Sequence, residues 1–326
     1  MREVFVAGAA MTRFGKFPDR TIRSLTEEAV GGALSDAGAG AAEVETAFFG
    51  NAVAGLLTGQ EMVKGQVALR HTGVMGIPIV NVENACASSS SAFHLAHLAV
   101  ASGSVDIALA VGAEKLTHPD KALAFGAIGT AVDLDEARER IRAAAADASP
   151  EATGGKRSPF MDVYAAYARA YMERSGATAA DFAQVAVKSH HHGSLNPHAQ
   201  YRDEVSADEV LASRMIAPPL TLLMCSPMGD GAAALVLCSA DALARLGGPS
   251  TSAKVRVAAT VMKTANDRRA DEPGVVERAS QRAYELAGVG PDDLDVVELH
   301  DAAAPAELIL YEELGMCEPG EGPKLL

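Results

Sequence analysis

An internal repeat restricts the fold of this chain more than any other feature of its sequence. Residues 29–51, AVGGALSDAGAGAAEVETAFFGN, and residues 279–301, ASQRAYELAGVGPDDLDVVELHD, both show a helix pattern, an Ala-Gly stop, a polar turn and an apolar strand, with almost the same spacing. Residues 253–262, AKVRVAATVM, match residues 3–12, EVFVAGAAMT, in the same way. Repetition of a whole supersecondary unit indicates a duplicated architecture. The sequence therefore predicts two α/β layers, the second of which begins near residue 250.

The first copy alternates short apolar runs with segments of helical period, which indicates strands and helices respectively. The predicted strands are 3–12, 44–51, 77–85 and 105–115, and the predicted helices are 21–38 and 87–103. This alternation favours one mostly parallel sheet. A later Gly-led apolar run at 229–239, GDGAAALVLCS, is predicted to close that sheet beside residues 105–115.

The pattern changes in the middle of the chain, where residues 117–219 are interpreted as an inserted, mainly helical domain. A charged segment, DLDEARERIR, a Gly-rich break and a second helical pattern follow one another there. Residues 1–116 plus 220–245 would then form the N-terminal half of the molecule, and residues 250–326 would form the C-terminal half.

The second copy of the repeat is followed by less chain than the first. The first copy continues for 63 residues, from Asn51 to Glu114, whereas only 25 residues follow Asp301. A sheet without its last strands would expose an unpaired apolar edge, which folded proteins avoid. We therefore expect that a C-terminal segment is missing and that the second half is incomplete.

Composition restricts the partners of the protein. The chain has 28 Lys and Arg against 42 Asp and Glu, and the resulting net charge of −14 opposes binding to nucleic acid or to an anionic membrane surface. No apolar stretch reaches the roughly 18 residues that a membrane helix needs. The four cysteines are widely spaced, so neither a disulfide framework nor a zinc site is indicated. A cytoplasmic protein is expected.

The segment NVENACASSSSAF, residues 81–93, places Cys86 between a predicted strand and a predicted helix. The first N–H groups of a helix direct positive charge toward a residue in this position, which favours a thiolate over a thiol. Cysteine is also among the residues most often buried in protein cores. Position alone therefore leaves two interpretations open, a packed thiol and a nucleophile.

Four ordered motifs resemble those of thiolases, and most closely those of the sterol-carrier-protein type, which are similar to acetyl-CoA acetyltransferases. The motifs are NVENACASSSSAF, KSHHHGSLNPHAQYR, SPMGDGAAALVL and ELHDAAAPAELILYEELGMCEPGEG. The resemblance implies an α/β fold of duplicated layers, αβαβα, with an inserted mainly helical loop domain. It covers nearly the whole chain.

The resemblance also implies roles for three residues. Cys86 matches the cysteine that takes an acyl group as a thioester, and His300 matches the histidine that donates to the substrate thioester oxygen. Ser226 matches a position that contacts coenzyme A, although it is equally well interpreted as an ordinary loop serine. Coenzyme A and acyl-CoA are implied as substrates, and no permanently bound cofactor is implied.

The sequence departs from the family pattern after His300. Thiolases of this type often have His-Asp-Cys-Phe where this chain has Ala302 and Ala303, so one candidate acid/base thiol is absent. A Gly-His-Pro element and a later Cys-x-Gly loop are not found in residues 1–326 either. The condensing chemistry is therefore implied by resemblance and is not complete in the visible residues.

The resemblance implies an acyl-CoA C-acyltransferase that cleaves a 3-oxoacyl-CoA by thiolysis, or runs the reverse Claisen condensation, through an acyl-Cys86 intermediate. Branched or steroid-derived acyl chains are the implied substrates. One alternative is a thiolase-like retro-aldol lyase acting on acyl-CoA, and another is a non-catalytic acyl-CoA-binding subunit. A homodimer or homotetramer is expected, with a small oligonucleotide-fold acyl-CoA-binding protein as a possible partner.

Other polar clusters have simpler interpretations. His190, His191 and His192 are consecutive, so they do not share one helix or strand face, and we interpret them as part of a polar loop with no metal. Lys156 and Arg157 are either a solvated pair or a phosphate contact. The remaining cysteines, Cys225, Cys238 and Cys317, are interpreted as packed thiols, and His94 and His97 as packing or subunit-contact residues.

Overall fold

The computed structural model of the protein describes residues 2–136, 139, 159–267, 269 and 272–326. The chain forms two compact units, here named the sheet unit and the helical unit. The sheet unit comprises Met1–His118, Asn196–Tyr201 and Met228–Leu294, and the helical unit comprises Pro119–Leu195, Arg202–Pro227 and Asp295–Leu326. These boundaries differ from the predicted division into residues 1–116 plus 220–245, 117–219 and 250–326, which stays a prediction.

The described residues contain eight strands and eleven α-helices. The strands are β1 Val4–Met11, β2 Thr46–Gly50, β3 Ile79–Val82, β4 Ile107–Lys115, β5 Met215–Ala217, β6 Leu220–Thr221, β7 Asp230–Ser239 and β8 Val255–Arg256. The helices are α1 Ile22–Ala37, α2 Ala54–Thr58, α3 Lys64–Leu69, α4 Ser88–Ala101, α5 Lys121–Ile128, α6 Pro159–Ser175, α7 Ala179–Leu195, α8 Ala207–Ala212, α9 Ala240–Arg245, α10 Val275–Ala287 and α11 Pro305–Glu313.

The sheet unit is built on one six-stranded sheet in the order β3-β2-β4-β7-β1-β8. Its main strands lie where the sequence predicts them, and β7 pairs with β4 as expected. The predicted parallel direction of the first four strands is confirmed: β2 is parallel to β3 and β4, and β1 and β4 are both antiparallel to β7. After the intervening residues β7 enters the sheet in the opposite direction, so it is antiparallel to both of its neighbours.

Helices cover both faces of this sheet. Alternate residues of a strand point to opposite faces, so Ile107 and Leu109 of β4 join the core under α1, whereas Ala108 and Ala110 join the core under α4. Small residues let the layers approach closely. A Cβ at Gly8 of β1 would overlap the backbone of α1. The scarcity of aromatic residues in the sequence matches this close helix–sheet packing.

A buried ion pair stabilises the end of the sheet where the SPMGDG motif enters β7. Asp230 is fully buried and accepts hydrogen bonds from Lys115 Nζ at 2.8 Å and from the N–H groups of Leu116 and Thr117 at 2.9 and 2.8 Å. Burial alone would raise the pKa of Asp230, but these bonds and one from the Phe17 N–H hold it below its usual value. The aspartate of this motif therefore has a structural role.

The second copy of the repeat reproduces only part of the first. Its helix, α10, ends at Gly288 in the left-handed conformation, as α1 ends at Gly38. The predicted second layer of strands is wrong for the described residues. Residues 295–300 form no strand, and the 253–262 segment contributes only β8, which pairs with β1 at the edge of the first sheet. A strand needs a hydrogen-bonding neighbour, and no described strand pairs with residues 295–300.

The helical unit packs around large side chains that are almost fully buried, including Tyr171 of α6, Phe182 of α7 and Leu308 of α11. The predicted helix near residues 161–176 is confirmed as α6. The predicted polar loop at His190–His192 is wrong, since these residues lie within α7. Lys156, Arg157 and half of the charged DLDEARERIR segment lie outside the described residues. No helix in the described part of the chain is both long and apolar enough to span a membrane.

Candidate active site

Cys86 lies in a short turn between a strand and a helix, as the sequence predicts. Strand β3 ends at Val82, a 3₁₀ turn covers Ala85–Ala87, and α4 begins at Ser88. The Cys86 side chain is exposed. Its position at the N-terminus of a 14-residue helix places the sulfur at the positive end of the helix dipole. The packed-thiol interpretation therefore does not describe this residue.

The backbone before Cys86 has an unusual conformation that is held by local hydrogen bonds. Ala85 has φ = 45°, in the left-handed region that costs a non-glycine residue about 1–2 kcal/mol. The Asn84 N–H donates to Ser88 Oγ at 2.9 Å, and this hydroxyl donates to the Ala85 carbonyl at 2.7 Å. The Ala85 N–H donates to Glu83 Oε1 at 2.7 Å. The serines that follow Cys86 thus stabilise the turn that presents it.

Two glycines on adjacent strands let this turn lie directly on the sheet. Gly50 of β2 and Gly112 of β4 are register partners at the carboxyl ends of parallel strands. A Cβ at Gly50 would lie 2.7 Å from the Ser88 carbonyl oxygen, and a Cβ at Gly112 would overlap the Ser89 side chain. Real side chains essentially never make such contacts. The position of the Cys86 turn therefore depends on the absence of a Cβ at both Gly50 and Gly112. The sequence analysis did not predict this role.

Asn51 follows Gly50 and is almost fully buried. Its Nδ2 donates to the Ala113 carbonyl at 2.8 Å and to Glu114 Oε1 at 3.1 Å, and Glu114 Oε2 accepts from the N–H of Ala52 at 2.8 Å. Among the described residues, no group bonds to Asn51 Oδ1. These bonds fix the loop after β2 to the end of β4, next to the glycine pair.

Ser226 and the His300 segment lie together in the helical unit. Cys225 and Ala303 form an antiparallel bridge, the Ser226 N–H donates to the Ala302 carbonyl at 3.1 Å, and the Ala304 N–H donates to the Met224 carbonyl at 2.9 Å. Both Ser226 and His300 are exposed. The structure therefore brings two of the three predicted site residues onto neighbouring segments. Cys86, the third, belongs to the sheet unit.

Asp301, the neighbour of His300, is a half-buried carboxyl group whose pKa is shifted. Burial is the main cause that raises its pKa to about 6, and the negative charge of Glu307 adds to the effect. The positive charges of His300 and Lys188 act in the opposite direction and do not outweigh it. The pKa of Asp301, the residue next to His300 in the chain, is therefore raised above that of an ordinary carboxyl group.

Sequence reasoning missed a polar cluster beside this segment. Lys188 of α7 forms an ion pair with Glu307 Oε1 of α11 and donates to the Tyr311 hydroxyl at 2.7 Å, and that hydroxyl donates to Glu307 Oε1. Glu307 is 5% exposed. Burial alone would lower the pKa of Lys188, but its hydrogen bonds to Glu307 and Tyr311 raise it. The spacing of Glu307 and Tyr311 on one helix face was the signal available in the sequence.

The other cysteines and histidines have structural surroundings. No disulfide joins the four cysteines, all of which lie in the described residues. Burial raises the pKa of Cys225 and of Cys238 to about 11, as expected of packed thiols, and it also raises that of Cys317. His94 Nδ1 lies 3.1 Å from Thr260 Oγ1. Within the described residues, no group of three His, Cys, Asp or Glu side chains is arranged to hold a metal ion.

Comparison with known families gives two matches that together cover most of the chain. The model described as "Thiolase, N-terminal domain" matches residues 4–241, and the model described as "Thiolase C-terminal domain-like" matches residues 260–326. The second match assigns residues 260–326 to a C-terminal thiolase domain, and the expectation of a missing C-terminal segment stays a prediction.

Three curated relatives illustrate the range of similar proteins. The chain is 36% identical to benzoylsuccinyl-CoA thiolase subunit BbsB of Thauera aromatica, over 100% of this chain and 78% of the relative. It is 36% identical to acetyl-CoA acetyltransferase of Methanothermobacter thermautotrophicus, over 99% of this chain and 79% of the relative. It is 33% identical to human sterol carrier protein 2, over 100% of this chain but only 59% of the relative.

A solved structure described as "Ltp2-ChsH2(DUF35) aldolase" shares the fold. Its TM-score is 0.74 at 25% sequence identity, and the match covers 99% of this chain and 79% of that chain. The mixed α/β fold expected from the sequence is confirmed by this match and by the two family models.

Proposed function

The chain belongs to the thiolase family of acyltransferases, and on that premise we propose that it transfers acyl groups between carbon and coenzyme A through a thioester on Cys86. The observation that carries the proposal is the exposed position of Cys86 on a strained turn at the N-terminus of α4. The helix N–H groups favour the thiolate there, and a thiolate is the form that attacks a carbonyl carbon.

In the thiolytic direction the Cys86 sulfur attacks the C3 carbonyl of a 3-oxoacyl-CoA. The bond between C2 and C3 then breaks, and its electron pair stays on C2, which gives the enolate of the acyl-CoA product that keeps C1 and C2. Protonation of C2 completes that first product. The thiol of a second coenzyme A attacks the acyl-Cys86 thioester, which releases the shortened acyl-CoA and restores the thiol. The Claisen condensation is the same sequence in reverse.

His300 and Ser226 have supporting roles in this proposal. The His300 ring donates a hydrogen bond to the thioester oxygen on which negative charge develops in the enolate. Such donors lower the activation free energy by about 2.7–4 kcal/mol. Ser226 contacts the coenzyme A arm. What supports the pair is the bridge between residues 225 and 303, which places Ser226 beside the segment that follows His300. No permanently bound cofactor is needed for these steps.

The acyl group that we propose is a bulky one, branched or steroid-derived. Two of the relatives have names that refer to a benzoylsuccinyl-CoA and to a sterol carrier protein. We also propose a homodimer or homotetramer and a small acyl-CoA-binding partner of oligonucleotide fold. The name of the similar aldolase structure pairs it with a DUF35 protein, and BbsB is named as a subunit. A cytoplasmic location is part of the same proposal.

The proposal is tested by trapping the acyl-enzyme. The protein is incubated with acetyl-CoA or a 3-oxoacyl-CoA, quenched in acid and weighed by intact-mass spectrometry. We expect an acyl adduct on the unchanged protein and on C317S, a control cysteine that is partly buried, and none on C86S, because a serine hydroxyl stays protonated where a thiolate reacts. An adduct of undiminished amount on C86S would refute the Cys86 role.

A second candidate function is a retro-aldol lyase, which the similarity to an aldolase structure favours. It is also favoured by Ala302 and Ala303, which place no acid/base side chain after Asp301. Such an enzyme removes the proton of a 3-hydroxyl group, breaks the C2–C3 bond and releases an aldehyde or ketone with the enolate of the shorter acyl-CoA. It needs no acyl-cysteine. Cleavage of a 3-hydroxyacyl-CoA that persists in C86S would identify the lyase.

A further inference from the structure

The hydroxyl group of Ser88 bonds to both residues that precede Cys86. It accepts a hydrogen bond from the Asn84 N–H at 2.9 Å and donates one to the Ala85 carbonyl at 2.7 Å. Ser88 is 4% exposed, so water does not readily replace these bonds if the hydroxyl is removed. A buried hydroxyl that pairs with two backbone groups therefore restricts the conformation of that backbone.

Two closed turns enclose Cys86. The Ala87 N–H donates to the Asn84 carbonyl at 2.9 Å, and the Ser88 N–H donates to the Ala85 carbonyl. Cys86 lies inside both rings, so the conformations of Asn84 and Ala85 determine the direction in which it points. The side chain of Asn84 is anchored as well, because its Nδ2 donates to the buried Ser91 hydroxyl at 2.8 Å.

These bonds hold Ala85 in a conformation that alanine disfavours. Its φ of 45° lies in the left-handed region, which a non-glycine residue populates about 5- to 30-fold less than the right-handed one. Without the Ser88 hydroxyl, Ala85 should return mainly to ordinary backbone angles. That rotation would redirect the peptide that carries Cys86 and move its sulfur away from the N–H groups at the start of α4.

We propose that Ser88 is a positioning residue that sets the reactivity of Cys86 by holding Ala85 in the left-handed conformation. The inference rests on the proposed function, in which Cys86 is the nucleophile, but it concerns the thiol before any substrate binds. Neighbouring serines do not share this role. Ser90 bonds to Ala87 and Ser91 bonds to Asn84, whereas Ser88 bonds to Ala85.

The test measures the rate at which iodoacetamide alkylates Cys86, followed by peptide mass spectrometry at neutral pH. S88A should slow this reaction by about 5- to 30-fold, because the population of the left-handed turn falls by that factor. S102A is the matched control. Its exposed hydroxyl also donates to the carbonyl three residues earlier, but at the other end of α4, so the rate should not change. An unchanged rate in S88A overturns the proposal.

A glycine at position 85 separates positioning from simple stabilisation of the helix. Glycine adopts positive φ about as readily as negative φ, so the left-handed turn no longer needs Ser88 to hold it. In an A85G background, S88A should therefore slow alkylation of Cys86 by no more than about twofold. A loss as large as in the alanine background would show that Ser88 does not act through Ala85, and it overturns the proposal.

Cys317 gives an internal measure of folding, because its thiol is partly buried and belongs to the helical unit. Its alkylation rate should be the same in every variant. If S88A alkylates faster at Cys317, the protein has unfolded, and the double variant A85G/S88A decides the outcome. Recovery of the slow Cys317 rate together with a reactive Cys86 supports the positioning role. Unfolding of both variants means that Ser88 is purely structural and overturns it.

The two proposals fail in different ways. Absence of an acyl adduct on the unchanged protein refutes the proposed transferase function, even when alkylation of Cys86 depends on Ser88 as expected. A normal acyl adduct combined with equal alkylation rates in S88A and the unchanged protein refutes only the positioning role of Ser88. Steady-state kinetics adds a further check, because S88A should lower kcat with a smaller change in KM.

Discussion

The two copies of the internal repeat have the same local structure at their start and different structures at their end. Helices α1 and α10 both end at a left-handed glycine, Gly38 with φ = 64° and Gly288 with φ = 71°. A 3₁₀ turn follows in each copy. The Gly40 N–H donates to Glu43 in the first and the Gly290 N–H donates to Asp293 in the second, at 2.7 and 2.8 Å. Only the first copy then forms a strand.

The difference teaches that the helix and its stop are encoded locally, whereas the strand depends on partners. Strand β2 lies between β3 and β4 and buries Phe48 and Phe49. The matching residues of the second copy include Glu298, and Val296 is 79% exposed. An extended segment without neighbours leaves its N–H and C=O groups unpaired, so an apolar pattern alone does not make a strand.

The last two residues of each copy also differ in what they do. The first copy ends at Gly50 and Asn51, which position the Cys86 turn and the loop beside it. The second copy ends at His300, which has an exposed ring, and Asp301, which has a half-buried carboxyl group. Equivalent positions of a duplicated unit therefore have a structural role in one half and, in our proposal, a chemical role in the other.

The largest expected effect comes from substituting the equivalent residues His300 and Gly50, one in each copy. H300A should lower kcat by about 10²–10³-fold, because an oxyanion donor is lost, and change the free energy of unfolding by no more than about 0.5 kcal/mol, because the side chain is exposed. G50A, at the equivalent position, should destabilise the protein by about 1–3 kcal/mol through overlap with the Ser88 backbone. Steady-state kinetics and urea unfolding measure both. A destabilised H300A with normal kcat would contradict the contrast.

The next predictions concern stability alone, at the left-handed glycines. G38A combines backbone strain with overlap of its Cβ on the backbone of Gly247 and Gly248, so it should cost about 2–4 kcal/mol of unfolding free energy. G288A meets no atom within 4 Å and should cost only the strain of about 1–2 kcal/mol. G31A, a helical position with open space, is the control and should be neutral or stabilising. Equal losses at Gly38 and Gly288 would show that the two helix ends are equally packed.

The smallest effect is expected in the turns that follow these helices. E43A and D293A each remove the acceptor for a glycine N–H, which typically costs about 0.5–2 kcal/mol. We expect E43A to lower the global free energy of unfolding, since its turn leads directly into buried β2. D293A should increase hydrogen exchange only around residues 288–294, because no described strand follows. A global effect of D293A would show that the second copy unfolds together with the sheet.

Local sequence patterns predicted most of the first copy correctly. Helices α1 and α4, strands β1, β2, β3, β4 and β7, and the position of Cys86 all follow from periodicity and from stop signals within a few residues. The direction of β7 could not be predicted in this way, because it depends on how the chain returns after more than a hundred residues.

The missed features depend on contacts between distant residues. Lys188 and Glu307 are 119 residues apart in sequence, so no spacing rule joins them, and the perturbed pKa of Asp301 exists only once the chain buries it. The glycine pair of Gly50 and Gly112 likewise acquires its meaning from strand register. Helix α7 continues through His190–His192, which the polar run did not indicate. The apolar face of the same helix begins near Phe182 and was the available signal.

In the proposed function, alanine at position 85 affects how Cys86 meets its substrate. Glycine at position 85 would adopt the same backbone angles without strain, but it would also allow the backbone before Cys86 to populate many other conformations. The methyl group of Ala85, together with the bonds through Ser88, removes that freedom in advance. The conformational entropy cost of orienting the Cys86 sulfur is therefore met during folding and not on each binding event. In the proposed function, the thioester substrate thus binds to a preorganised site.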